Sequence, residues 1–83
     1  MSQPAFFHEE SGAVRFWVDV DGTPIGASIS QQTLHYRFRP GVRDDVPLET
    51  YKAFAQEIDA AVVRRVAMGS IEPVMLREFD LRK

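Results

Sequence analysis

Gly26-Ala-Ser-Ile-Ser30 stands where an alternating strand pattern gives way to a helical one, which is the setting of a nucleophile elbow. An elbow needs a glycine two residues after its serine, and Ser30 occupies that place. Ser30 has the simpler role of a helix N-cap, its hydroxyl accepting from the unpaired backbone N–H groups of a helix that starts at Gln31. His35 follows within that short helix and is turned away from the Ser30 hydroxyl, so no Ser-His-Asp logic forms. The other histidine opens His8-Glu9-Glu10, the first half of an HExxH zinc motif without its second half. With no cysteine and two distant histidines, no metal-ligand spacing is present, and neither a metal nor another cofactor is expected. The reading of both histidines is one in a loop and one on a half-exposed helix.

Asp19 with Asp21, and Asp44 with Asp45, are the carboxylate pairs that could act as acid and base or hold a hard cation. Each has a structural explanation: Asp21 suits a turn, Asp19 the wet side of a hairpin, and Asp44-Asp45 the start of a helix. Arg37-Phe-Arg-Pro-Gly-Val-Arg43 is the densest basic segment. Arg37, Arg39 and Arg43 define an alternative function, a nucleic-acid accessory protein with salt-dependent binding. The acids that follow weaken that field, and a solvated helix end is the preferred reading. A net charge of −2 gives no bulk attraction to nucleic acid or anionic membrane.

The elements that position these residues start from Asp21-Gly22, the preferred filling of a two-residue type I′ turn, because both central positions need φ > 0. Counting outward pairs Val18 with Ile25, Phe16 with Ala27 and Val14 with Ile29 on a core face. The other face pairs Asp19 with Pro24, Trp17 with Gly26 and Arg15 with Ser28, and a one-residue slip would send Phe16 and Val18 to the wrong side. Ala5 to Phe7 is read as a short edge strand. A short helix runs from Gln31 to the Pro40-Gly41 break. A long one starts at Pro47 and stops at Gly69, with Leu48, Tyr51, Ala55, Ile58, Val62 and Val66 in one stripe that faces Phe16 and Val18. Pro73 to Phe79 has strand composition, with Val74 and Leu76 on one side and Met75, Arg77 and Phe79 on the other.

These elements predict one α+β domain over residues 1–83: a two-layer sandwich in which an antiparallel sheet, made of the N-terminal hairpin and the C-terminal strand, packs on one short and one long helix. Trp17, Met75 and Phe79 then point away from the helices as an interaction surface. Two readings of that face stand side by side: a contact surface, or a surface covered by Phe6-Phe7 folding across it. No stretch approaches the length of a membrane span, and the N-terminus lacks a signal-peptide pattern, so the expected setting is cytoplasmic.

Ala13-Val-Arg-Phe-Trp-Val-Asp-Val-Asp-Gly22, then Ile25-Gly-Ala-Ser-Ile-Ser30 leading to Leu34, a long amphipathic helix and a strand ending in Glu78-Phe79-Asp80, resemble the small bacterial family called domain of unknown function 1488. The resemblance spans nearly the whole chain and rests on structural motifs. It implies a compact α+β domain of bacterial cytoplasm and no assigned activity. The family pattern has a Cys near the position of Ala27, so a thiol role does not carry over. No nucleophile, base or metal set converges, which disfavours the further alternative of a small enzyme, and the expected function is a non-enzymatic interaction module, self-associating as a homodimer through the outer sheet face or a sheet edge.

Overall fold

A computed structural model describes residues 4–81 and, of Phe79, the backbone only. The hairpin forms in the expected register. β2 (Ala13–Val20) and β3 (Thr23–Ser30) pair antiparallel with Val18 opposite Ile25, Trp17 opposite Gly26, Phe16 opposite Ala27 and Val14 opposite Ile29. Asp21 and Gly22 have φ of 53° and 82°, the left-handed pair a type I′ turn requires. Ahead of them, β1 (Phe6–His8) adds antiparallel to β2, one residue later than the expected edge strand. Its pairing of Phe7 with Val14 turns Phe7 onto the core, while Phe6 stays on the outer face.

β4 (Val74–Leu76) completes the sheet beside β3, in the order β1-β2-β3-β4. It runs parallel to β3, so the sheet is mixed and not antiparallel throughout. The reason is the connection. The final strand pairs with the strand that leads into the helices, and a helical crossover that returns the chain to the same end of a sheet yields a parallel neighbour. The strand is also shorter than its composition suggests. Beyond Leu76 the chain turns into a 3-10 helix at Glu78–Leu81, which takes Phe79 out of the strand's outward row.

The helical layer comprises α1 (Gln31–Phe38), α2 (Pro47–Ala53) and α3 (Ala55–Ala67). Ser30 caps α1, its hydroxyl accepting from the Thr33 N–H at 3.1 Å. The expected single long helix is interrupted at Phe54, whose φ of −118° leaves the helical region. The Phe54 ring stacks on Phe38 of α1 with centroids 4.4 Å apart, a contact that packs the interruption against the first helix. The stripe survives it: Tyr51, Ile58 and Val62 all reach the core, with Tyr51 lying 4.6 Å from the Phe16 ring. Gly69, at φ 96°, ends α3 with its own N–H bonded to the Val66 carbonyl and the Ser70 N–H bonded to the Arg65 carbonyl, the paired bonds of a Schellman cap.

Arg65 ties the C-terminal segment to this layer. Its guanidinium donates to the Asp80 carboxylate at 2.7 Å, to Ser70 Oγ at 2.9 Å and to the Met75 carbonyl at 3.2 Å. The same Asp80 oxygen accepts from the Arg77 N–H at 2.8 Å. No helix is long and apolar enough to cross a membrane among the described residues.

Candidate functional site

Among the described residues, the histidines that could do chemistry each meet one hydroxyl or acid and no more. Ser30 is occupied by its cap and by a 2.9 Å bond to Thr33 Oγ1. His8 Nδ1 lies 2.8 Å from Ser11 Oγ in the loop between β1 and β2. His35 is half-exposed on α1 as expected, and its Nδ1 lies 3.1 Å from the Asp45 carboxylate. Asp45 therefore orients an imidazole and does not cap α2, whose N-cap residue is Val46 and has no side-chain bond. Nothing in the sequence signals this pair, because it depends on how the loop after α1 folds back. Among the described residues, no three His, Cys, Asp or Glu side chains come together as metal ligands.

The basic segment is also spent on structure. Arg37 bonds to Glu57 at 3.0 Å and to the Leu81 carbonyl, and Arg39 lies over the Phe54 ring. Arg43 alone of the three is exposed without a partner among the described residues.

The outer face of the sheet is different. A groove of about 670 Å³ runs along β3 on the side away from the helices. Its floor is small, with Gly26 and Ser28 on β3, and its walls are Trp17 and Arg15 on β2 and Met75 on β4. The groove exists because β4 sits beside β3: a strand of glycine and serine lies between two strands that carry large side chains. Trp17 is half-buried over Gly26, and Phe6 stands beside it at 6.0 Å between ring centroids. Phe6 is itself 41% exposed, so it borders the Trp17 side and does not cover the face. Met75 is 62% exposed. Trp17 and Met75 thus share the face as expected, while the side chain of Phe79 lies outside the described residues.

Gly26 lies close against the end of the Glu72 side chain, which would have to shift for any larger residue. A Cβ there would come within 2.9 Å of the Glu72 carboxylate, which accepts the Gly26 N–H at 2.6 Å. That N–H sits just beyond the start of the β3–β4 ladder, and the carboxylate satisfies it with a short charge-assisted bond. Two guanidiniums line the rest of the groove, Arg15 on β2 and Arg77 after β4. Neither side chain has a hydrogen-bond or ion-pair partner among the described residues, whereas Arg37, Arg64 and Arg65 are all bonded. Sequence pairing placed Arg15 across from Ser28 but could not show that the row would be concave.

Two titratable groups are perturbed, and both lie in the helical layer. The Tyr51 hydroxyl donates to Asp59 at 3.0 Å. Burial, then the Asp59 charge and that bond, holds the phenol well above its ordinary range. Burial also raises the Asp59 carboxyl, against the opposing pull of the Tyr51 bond. This pair lies on the helical side of Phe16.

No family model, no curated protein and no solved structure matches this chain.

Proposed function

We propose that the protein is a non-enzymatic protein-interaction module that self-associates through the outer face of its sheet, with Trp17 and Met75 at the contact. The observation that supports this is the concave apolar groove between those two side chains, left open by Phe6. Aromatic surface of this kind is costly in water and is a common centre of protein contacts, where a buried Trp contributes ~2 kcal/mol or more. Ser11 with His8 and Asp45 with His35 meet only as two separate pairs that do not combine into a triad, which supports a binding role over an enzymatic one. The resemblance to domain of unknown function 1488 brings a bacterial cytoplasmic setting and no activity that would compete with this reading.

The test is solution mass by sedimentation at micromolar concentration for wild type and Trp17→Ala. A dimer that the substitution weakens is the expected result. A strictly monomeric wild type removes self-association, and a dimer indifferent to Trp17→Ala moves the contact away from this face.

A further inference from the structure

Charge is distributed along the outer face in a polar way. The hairpin end carries Asp19 on the outward row and Asp21 in the turn, both exposed. The opposite end carries Arg15 and Arg77, both side chains without a hydrogen-bond or ion-pair partner among the described residues. Shape follows the same division. The groove is lined from the level of Gly26 toward Ser30 and does not extend to Asp19, Pro24 or the turn. One half of the face is therefore concave, with Arg15 and Arg77 at its far end and the Glu72 carboxylate held on the Gly26 N–H near its middle, and the other is a projecting acidic tip.

We infer that a second copy of this chain seats face to face with its strands antiparallel, so that each hairpin tip enters the other copy's groove. The inference rests on the self-association proposed above and specifies its geometry. A two-fold axis lying across the strands at the level of Trp17 exchanges the two halves of the face. Arg15 and Asp19 are each two residues from Trp17, about 6–7 Å along the strand, so this axis brings Arg15 level with the partner's Asp19. The groove of one copy then faces the tip of the other and never another groove, which leaves no shared void. An axis along the strands would instead set Arg15 and Arg77 against the basic end of the partner. The arrangement is closed and self-complementary, as a two-fold contact must be. Two strands of eight residues and two of three offer roughly 350 Å² per copy, roughly 700 Å² for the pair, the size of a weak contact. The dimer is expected to be weak and salt-sensitive.

The experiment uses two charge-reversed variants of the full chain, Arg15→Glu with Arg77→Glu, and Asp19→Arg with Asp21→Asn. In the first, acidic tips meet acidic grooves; in the second, basic tips meet basic grooves. Each alone is expected to raise the dimer dissociation constant at least tenfold, measured by sedimentation. Mixing them one to one is expected to restore a dimer containing both, because each tip then meets a groove of opposite sign. Variants that dimerise like wild type, or a mixture that stays monomeric although both components fold by circular dichroism, overturn the antiparallel seating while leaving a Trp17-dependent dimer intact. Should a variant fail to fold, the salt series of the wild type decides: dissociation must rise with sodium chloride, and a dimer indifferent to it overturns the seating. A wild type that is monomeric overturns both the seating and the self-association beneath it.

Discussion

The two faces of the sheet are built from alternate residues of the same strands and come out as opposites. On the inner face, Val14, Phe16 and Val18 meet Ile29, Ala27 and Ile25 and pack under Tyr51, Ile58 and Val62, and among the described residues no buried side-chain polar atom lacks a hydrogen bond. Apolar side chains on adjacent strands fill the space between sheet and helices. On the outer face, large side chains on β2 and β4 flank glycine and serine on β3, and the mismatch in volume leaves a groove. Period-two alternation thus encodes packing on one side and a recess on the other, and side-chain size along β3 decides which.

Substitutions on either side can break this contrast. The largest expected effect is Ile58→Ala: the side chain is fully buried, and truncation costs about 2–4 kcal/mol in denaturant unfolding. A loss below about 0.5 kcal/mol would place Ile58 outside the core. Asp80→Ala comes next, at about 1.5–3 kcal/mol, because it strips a nearly buried acceptor from Arg65 and from the Arg77 N–H together. A smaller effect belongs to the Tyr51–Asp59 pair. Both groups hold a proton more tightly folded than unfolded, so stability falls as pH rises through the carboxylate range and falls again above about pH 10. Asp59→Asn, whose amide oxygen still accepts from Tyr51, should flatten the first step in a pH series of thermal melts; an unchanged acid slope would assign it to other carboxylates. The smallest effect is Met75→Ser, within about 0.5 kcal/mol on the monomer. If it matched Ile58→Ala, the outer face would be core and the contrast would fail.

Much of the inner face was legible because turn chemistry and alternation are local. Asp21-Gly22 fixes the pairing of Val18 with Ile25 without reference to the rest of the chain. The parallel placement of β4 was not legible, since three residues, Val74–Leu76, carry no sign of the strand they will join or its direction. The interruption at Phe54 escaped for a related reason: no glycine or proline marks it, and the ring's stacking on Phe38 is a tertiary fact. The groove inherits both limits. Trp17 over Gly26 could be counted out from the turn, but the second wall exists only once β4 has docked beside β3. The unpaired state of Arg15 and Arg77 depends in turn on where every other charge ends up.

The parallel docking of β4 also orders events during synthesis. β1, β2 and β3 emerge first and can form their meander with an inner face of valines and Phe16 that nothing yet covers. β4 cannot take its place until α1, α2 and α3 have been made, for the crossover that delivers it is the helical layer itself. The nascent chain therefore passes through a stage with exposed apolar sheet and no groove, a stage at which a chaperone would find a flat greasy ribbon. Chains arrested before Pro73 should accordingly bind a hydrophobic dye that the finished protein excludes from its core. The groove arrives last, with the final strand.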